Sequence, residues 1–286
     1  MAILDDLTGR HTPAAFGQSP TASTSIKKHG TSAAYFNGSA GVQVPSHSDF
    51  ALGNVNGNAT IHGWFRTGSD GTLYRDNKTY YTRIRLNGGK LEFAWGTGGS
   101  QPGWVYSSGP DFRDNTWHHV AMTITPQSGK QWWNVYVDGW LRRRFYDDGT
   151  ITPAQATLFL GSTNTGTERL TGYMDSWEII NGTALWSGGT EGTDVFDHNA
   201  LTQPSVTAND VLILNFNETL YEIAGTLSHE SRLTVIDESG QTIESNSVES
   251  AGAYQIITDN SEKTVIAVRE SDGKVLGYGR VIPTAI

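Results

Sequence analysis

Residues 116–124 read "TWHHVAMTI". The adjacent histidines His118 and His119 follow Trp117 and enter an apolar run. Three readings compete: a pair of metal ligands, a base with its partner, or two steps along a β-strand. Neighbouring side chains of a strand point to opposite faces. His118 then shares a face with Val120, Met122 and Ile124, and His119 shares the other with Trp117, Ala121 and Thr123. Two ligands on opposite faces cannot hold one ion. The pair therefore reads as framework, each ring packing and hydrogen-bonding in place.

The surroundings are of the same kind. "SAAYFNG", "GVQVP", "ATIHGWFRT", "TRIRLNGGKLEFAWG", "WWNVYVDGWLRRRFY", "ATLFLGS" and "GYMDSWEII" alternate over short runs and are separated by Gly, Asn, Asp and Ser. No segment sustains the i, i+3, i+4, i+7 pattern of an amphipathic helix. The spacing predicts a sandwich or jelly roll of antiparallel sheets. Asp138-Gly139 suits a type I′ hairpin, whose two central residues need positive φ. Asn87-Gly88-Gly89 marks a second hairpin tip. Residues 187–209, with Pro204, read as a connector, and "DVLILNF" (210–216) as a strand buried on both faces.

The chain has 286 residues and a net charge of −9. That balance argues against a nucleic-acid backbone as partner. Without Cys there are no disulfides, thiolate metal sites or cysteine nucleophiles. The first residues lack a basic start followed by an apolar stretch, so no secretory signal is expected. No run of about 18 apolar residues exists, so no membrane insertion is expected. The acid is uneven: residues 218–286 carry 11 Asp and Glu against 5 Lys and Arg. From 220 onward short strands alternate with acidic turns. Composition and pattern together place two domains at 1–217 and 218–286.

The motifs between 27 and 186 resemble the laminin-G-like, concanavalin-type lectin family. "KKHGTSAAYFNGSAGVQVP" (27–45), "ATIHGWFRT" (59–67), "NTWHHVAMTI" (115–124), "NVYVDG" (134–139), "LFLGS" (158–162) and "LTGYMDSWEIINGTALW" (170–186) follow one another in family order. The subtype is similar to lectin-like domains of bacteriophage virion proteins. Those begin with a strand that residues 1–26 lack, and "ANDVLILNFNET" (208–219) resembles it. The C-terminal part resembles a small carboxypeptidase-regulatory-like sandwich. The resemblance implies an all-β chain: a concanavalin-like jelly roll, then a small Ig-like or transthyretin-like β-sandwich.

It also brings candidate chemistry. Glucanases on the related fold use a Glu-x-Asp-x-x-Glu strand, and a retaining enzyme needs two carboxyls about 5–5.5 Å apart. In "YMDSWE" (173–178) Tyr173 stands where the first Glu would be. Asp175 and Glu178 are three apart, so without a bulge they face opposite ways. Asp175 is expected to accept backbone hydrogen bonds, and no catalysis is expected. Lectins of this type often carry a rim calcium. The turn residues Asp70, Asp76, Asn77, Asp147 and Asp148 offer oxygens without fixed ligand spacing, so metal stays open. Arg142, Arg143 and Arg144 split between the faces of a strand. They read as a solvated edge, with an anionic glycan or an acidic neighbour as the alternative.

The aromatic residues supply the ligand-binding candidates: Trp104, Tyr106 and Trp95 around "AWGTGGSQPGWVYSSG", and Tyr80 and Tyr81 in "NKTYYTRIR". Such side chains stack on sugars or anchor interfaces. For Trp104, placed in a Gly-Pro-rich loop, core and ligand readings stand even. Trp64, Trp117 and Trp177 read as core. Asn37, Asn58, Asn77, Asn181 and Asn217 open Asn-x-Ser/Thr triplets, taken as chance matches. The resulting expectation is a bacteriophage virion protein, either a tail or fibre component or a capsid decoration. It would bind a host-surface glycan or other virion proteins and be oligomeric within the particle. The competing classes are a free carbohydrate-binding module and a glycoside hydrolase on the glucanase fold.

Overall fold

The computed structural model describes residues 4–216 except 5, 53–56, 79–80, 96–102, 128–129 and 148–154. Side chains of Trp95, Trp104, Lys130 and Asp147, and everything but the strand backbones beyond 216, also lie outside the description. The chain divides into two units, Ile3–Asn217 and Glu218–Ile286.

In the first unit β1 (Ala14–Ala15), β2 (Thr21–Ser23), β3 (Ala33–Asn37), β4 (Val42–His47), β5 (Ala59–Thr67), β6 (Gly71–Asp76), β7 (Arg83–Asn87) and β8 (Lys90–Trp95) come first. Then follow β9 (Gly103–Tyr106), β10 (His118–Gln127), β11 (Lys130–Val137), β12 (Trp140–Asp147), β13 (Ala156–Leu160), β14 (Thr171–Asn181) and β15 (Asp210–Leu214). A seven-stranded sheet runs β1-β4-β13-β6-β7-β8-β9, and an eight-stranded sheet runs β12-β11-β10-β5-β14-β3-β2, with β15 also on β14. The pairings within them are antiparallel. Both expected turns form: Asp138 and Gly139 have φ of 52° and 79°, and Gly88 and Gly89 have 59° and 77°, the left-handed values a type I′ turn demands.

The alternation read from the sequence becomes a two-sheet core. Phe65, Ile61, Val120, Met122, Trp133, Val135 and Trp177 from the larger sheet meet Val42, Val44, Tyr74, Ile84, Leu91, Phe93 and Leu158 from the smaller. Full burial of each such aliphatic or Phe side chain is worth about 1.5–3 kcal/mol. β15 is buried at every residue. It lies along the C-terminal half of β14, where Trp177 faces Leu214 and Ile179 faces Leu212, while β3 occupies the N-terminal half of the same edge. The chain start is tied to it, since Leu7 N–H donates to the Ile213 carbonyl and Asp6 accepts from Ile213 N–H.

The segment read as a connector does more than connect. Its Val195 and Phe196, with Trp186 just before it, pack onto Ala121, Tyr136 and Leu141, covering part of the larger sheet's outer face. Among the described residues the second unit has seven strands: β16 (Tyr221–Leu227), β17 (Ser231–Ile236), β18 (Thr242–Val248), β19 (Gly252–Thr258), β20 (Lys263–Arg269), β21 (Val275–Val281) and β22 (Thr284–Ala285). They form one sheet in the order β19-β16-β22 and another in the order β18-β17-β20-β21.

Candidate functional site

The outer face of the larger sheet carries the densest chemistry among the described residues. Its layout depends on β14. Asp175 pairs with Trp64 and Glu178 with His62 on β5, so three steps on one strand meet two on the other. The extra residue is a β-bulge, with Ser176 at φ 51°. Asp175 and Glu178 therefore point to the same face, which corrects the opposite facing expected of an unbroken strand. Gly63 makes room for the change: a Cβ there would sit 2.5 Å from the Trp177 ring. That ring is fixed by its indole N–H donating to the Trp64 carbonyl.

Asp175 is wholly buried and spends its oxygens on structure. One oxygen accepts the N–H groups of Lys28 and His29 at 2.8 and 3.0 Å, and the other accepts the Ser176 hydroxyl. Burial pushes its carboxyl up to about 6, against the pull of these donors. Glu178 begins a second chain. Its carboxylate meets His62 Nε2 at 2.7 Å, and His62 Nδ1 meets His119 Nε2 at 3.2 Å. The consistent proton placement has His62 donating to Glu178 and His119 donating to His62. His119 is held well below its ordinary value, first by burial and then by His62, so it is neutral. Trp186 packs against both rings, at 5.3 and 5.5 Å, and Trp64 against His119 at 5.2 Å. Above them a cavity of about 300 Å³ opens between the sheet and the 185–207 segment, lined by His62, Trp64, Glu178, Trp186, Gln203 and Asp210.

His118 lies on the other face, against Phe65 and Phe112. Its Nδ1 meets Asp138 at 2.7 Å and its Nε2 meets Asp114 at 3.1 Å. Burial works to lower its pKa, but the bonds and charges of Asp138 and Asp114 win, and the net shift is upward. The two histidines thus stand on opposite faces, as strand geometry requires.

Toward β11 and β12 the same outer face opens. Trp132 pairs with Tyr146 across the strands, with ring centroids 5.0 Å apart. The Arg144 guanidinium lies 4.2 Å over the Trp132 ring and donates to the Gln127 side chain at 2.7 Å. Tyr146 is 47% exposed. The basic run does split: Arg143 pairs with Glu191, Arg142 lies near Trp140, and Arg144 joins the aromatic pair.

The residues singled out from the sequence are placed elsewhere. Tyr80 lies outside the described residues, as do the side chains of Trp95 and Trp104. The backbone puts Trp104 on β9, paired with Ala94, so it belongs to a strand and not to a loop. Tyr106 is 54% exposed at the edge of the smaller sheet, and Tyr81 is half-buried with Arg75 4.1 Å from its ring. Trp64 and Trp177 are buried, whereas Trp117 is half-buried, because it precedes the first paired residue of β10.

Three of the five residues considered for calcium have oxygens engaged in hydrogen bonds. Asp76 is buried, accepts from Lys78 and Thr82 N–H and pairs with the Lys78 ammonium. Asn77 accepts from Thr157, and Asp70 from Gly88, Gly89 and Arg113. A calcium shell takes six to eight oxygens, and these three have theirs committed to turns. Asp148 and the Asp147 side chain lie outside the description. The sequence reading missed His62, Trp132 and Tyr146. Their signal was available as alternation, since His62 sits two residues before Trp64 and Trp132 two before Asn134.

Residues 36–186 match the family described as the concanavalin A-like lectin/glucanases superfamily. Among solved structures, the enzymatically active domain of bacteriophage CBA120 tailspike protein 2 shares 11% identity over 72% of this chain and 33% of that one, with a TM-score of 0.46. Domains LG4-5 of the mouse laminin alpha1 chain share 14% over 93% and 80%, with 0.42. The binding domain of Paraclostridial Mosquitocidal Protein 1 shares 12% over 96% and 70%, with 0.43. The chain spans 26% and 33% of the lengths of two tailspike chains that it matches. No curated protein matches it significantly.

Proposed function

This chain belongs to the concanavalin A-like lectin/glucanases superfamily, and from that premise we propose that it is a non-catalytic binding module of a bacteriophage particle. It engages a host-surface glycan through the outer face of its larger sheet. The observation that carries this reading is the Trp132–Tyr146–Arg144 surface: two exposed or half-exposed rings and a guanidinium presented side by side. Sugars offer C–H faces that stack on rings and hydroxyls that accept from planar donors. The phage assignment is supported by the family-ordered motifs between 27 and 186 and by "ANDVLILNFNET". On this reading the second unit is a carboxypeptidase-regulatory-like sandwich that joins other virion proteins. The protein is made in the host cytoplasm and is oligomeric in the particle.

A glycan array of host envelope saccharides tests the proposal, with Trp132→Ala and Tyr146→Ala beside wild type. Losing a ring at the centre of a contact commonly costs about 2 kcal/mol, roughly a 30-fold fall in affinity. That fall should come with an unchanged melting temperature, because both rings lie outside the main core. If no envelope glycan binds, or if both variants bind like wild type, the reading is overturned.

A hydrolase is the second reading, favoured by the bulge that brings Asp175 and Glu178 to one face beside a cavity. Against it, Asp175 holds the 28–29 turn and Glu178 is bound to His62. Reducing-end release from β-glucans that is lost in Glu178→Gln would establish it.

A further inference from the structure

A separate cluster lies where the chain start crosses the end of β4. His11, His47 and Asp49 each bring one ligand atom, and the three atoms lie within 4.8 Å of one another. His11 Nε2 is 3.4 Å from Asp49 Oδ2, and His47 Nδ1 is 3.3 Å from the same oxygen. The His11 side chain is 3% exposed, and its Nε2 has no hydrogen-bond partner. With no hydrogen-bond partner, Nε2 is the nitrogen free to carry the lone pair of a neutral ring. His47 Nδ1 accepts the Asp49 N–H at 3.2 Å, so it presents a lone pair as well.

Three electron-rich atoms therefore converge, and such a set needs a cation. Arg10 reaches Asp49 Oδ2 at 2.6 Å from the partly exposed side and supplies part of the charge. It leaves the His11 lone pair unmet.

The scaffold is firm. His11 N–H donates to Asp6, and the Asn181 side chain donates to the Asp49 and Ala51 carbonyls. We propose that His11, His47 and Asp49 form a binding site for a first-row divalent metal ion of the zinc type, which clamps the chain start onto β4. Two imidazoles and one carboxylate suit such an ion, with a fourth position left for water. In binding, His47 turns its lone pair from the Asp49 amide to the ion, and Arg10 is displaced from Asp49.

The test is a zinc titration of the untagged full chain after chelator treatment, with bound metal counted after gel filtration. One zinc per chain is expected, with a rise in melting temperature. His119→Gln should keep it. His47→Gln and His11→Gln should bind roughly tenfold or more weakly, since even supporting residues of a metal site cost 10–100-fold. Arg10→Gln removes a competing cation and should bind more tightly. His47 is 48% exposed, so its variant tests the site without threatening the fold. The proposal is overturned if wild type retains no zinc, if the two histidine variants retain it as well as wild type does, if Arg10→Gln binds less, or if calcium binds in preference.

Discussion

His118 and His119 are covalent neighbours with opposite electrostatic fates. His118 has its pKa raised by the two aspartates, so its contribution to stability is fully present below about 6.5, the unfolded value. It is lost as pH rises through the higher folded value. His119 has its pKa depressed by burial, so the unfolded chain binds its proton first. The penalty grows as pH falls below about 6.5. Replacing each with Gln should therefore give opposite trends. The melting-temperature gap between wild type and His118→Gln should widen from pH 8 to pH 5.5, while the gap for His119→Gln should narrow. Gaps that move in the same direction would mean that the two rings do not occupy the environments described.

The β14 bulge decides which side chains share a face. It depends on Trp177 lying over Gly63, whose backbone is not in the left-handed region, so an added methyl acts through space alone. Gly63→Ala should cost about 1–3 kcal/mol, the usual range for overpacking, measured by denaturant unfolding. A neutral result would mean that the Trp177 ring can move aside. β15 closes the same strand from the other edge. Leu212→Ala should cost about 2–5 kcal/mol, as buried leucine truncations do, with little change in denaturant slope. If Leu212→Ala is harmless, β15 is not part of the core.

The first unit contains its own closure, because Asp6, Leu7 and β15 are bonded to one another within it. A chain ending at 217 should melt cooperatively near the wild-type temperature of that unit. A chain ending at 209 should be insoluble or should unfold without a sharp transition, because the apolar β14 edge from Trp177 to Ile180 would face water. Scanning calorimetry of the two purified chains distinguishes them. Equal cooperativity would place strand 210–214 outside the domain.

The sequence by itself determined the fold class, the two hairpin turns, the opposite faces of His118 and His119 and the presence of an apolar strand from 210, which the structure ends at Leu214 and not at 216. The fold class and the histidine faces follow from period-2 alternation, the turns from a local demand for positive φ and the strand from a continuous apolar run, all signals that neighbours in sequence express. Only the tertiary structure decided that Asp175 and Glu178 share a face, because a bulge is a mismatch between two strands and has no period of its own. It alone made residues 185–207 a cover for the sheet. It also brought His11 to His47 and Asp49, and Glu178 to His62. Those contacts join residues far apart in the chain, and no local pattern encodes where two distant segments cross.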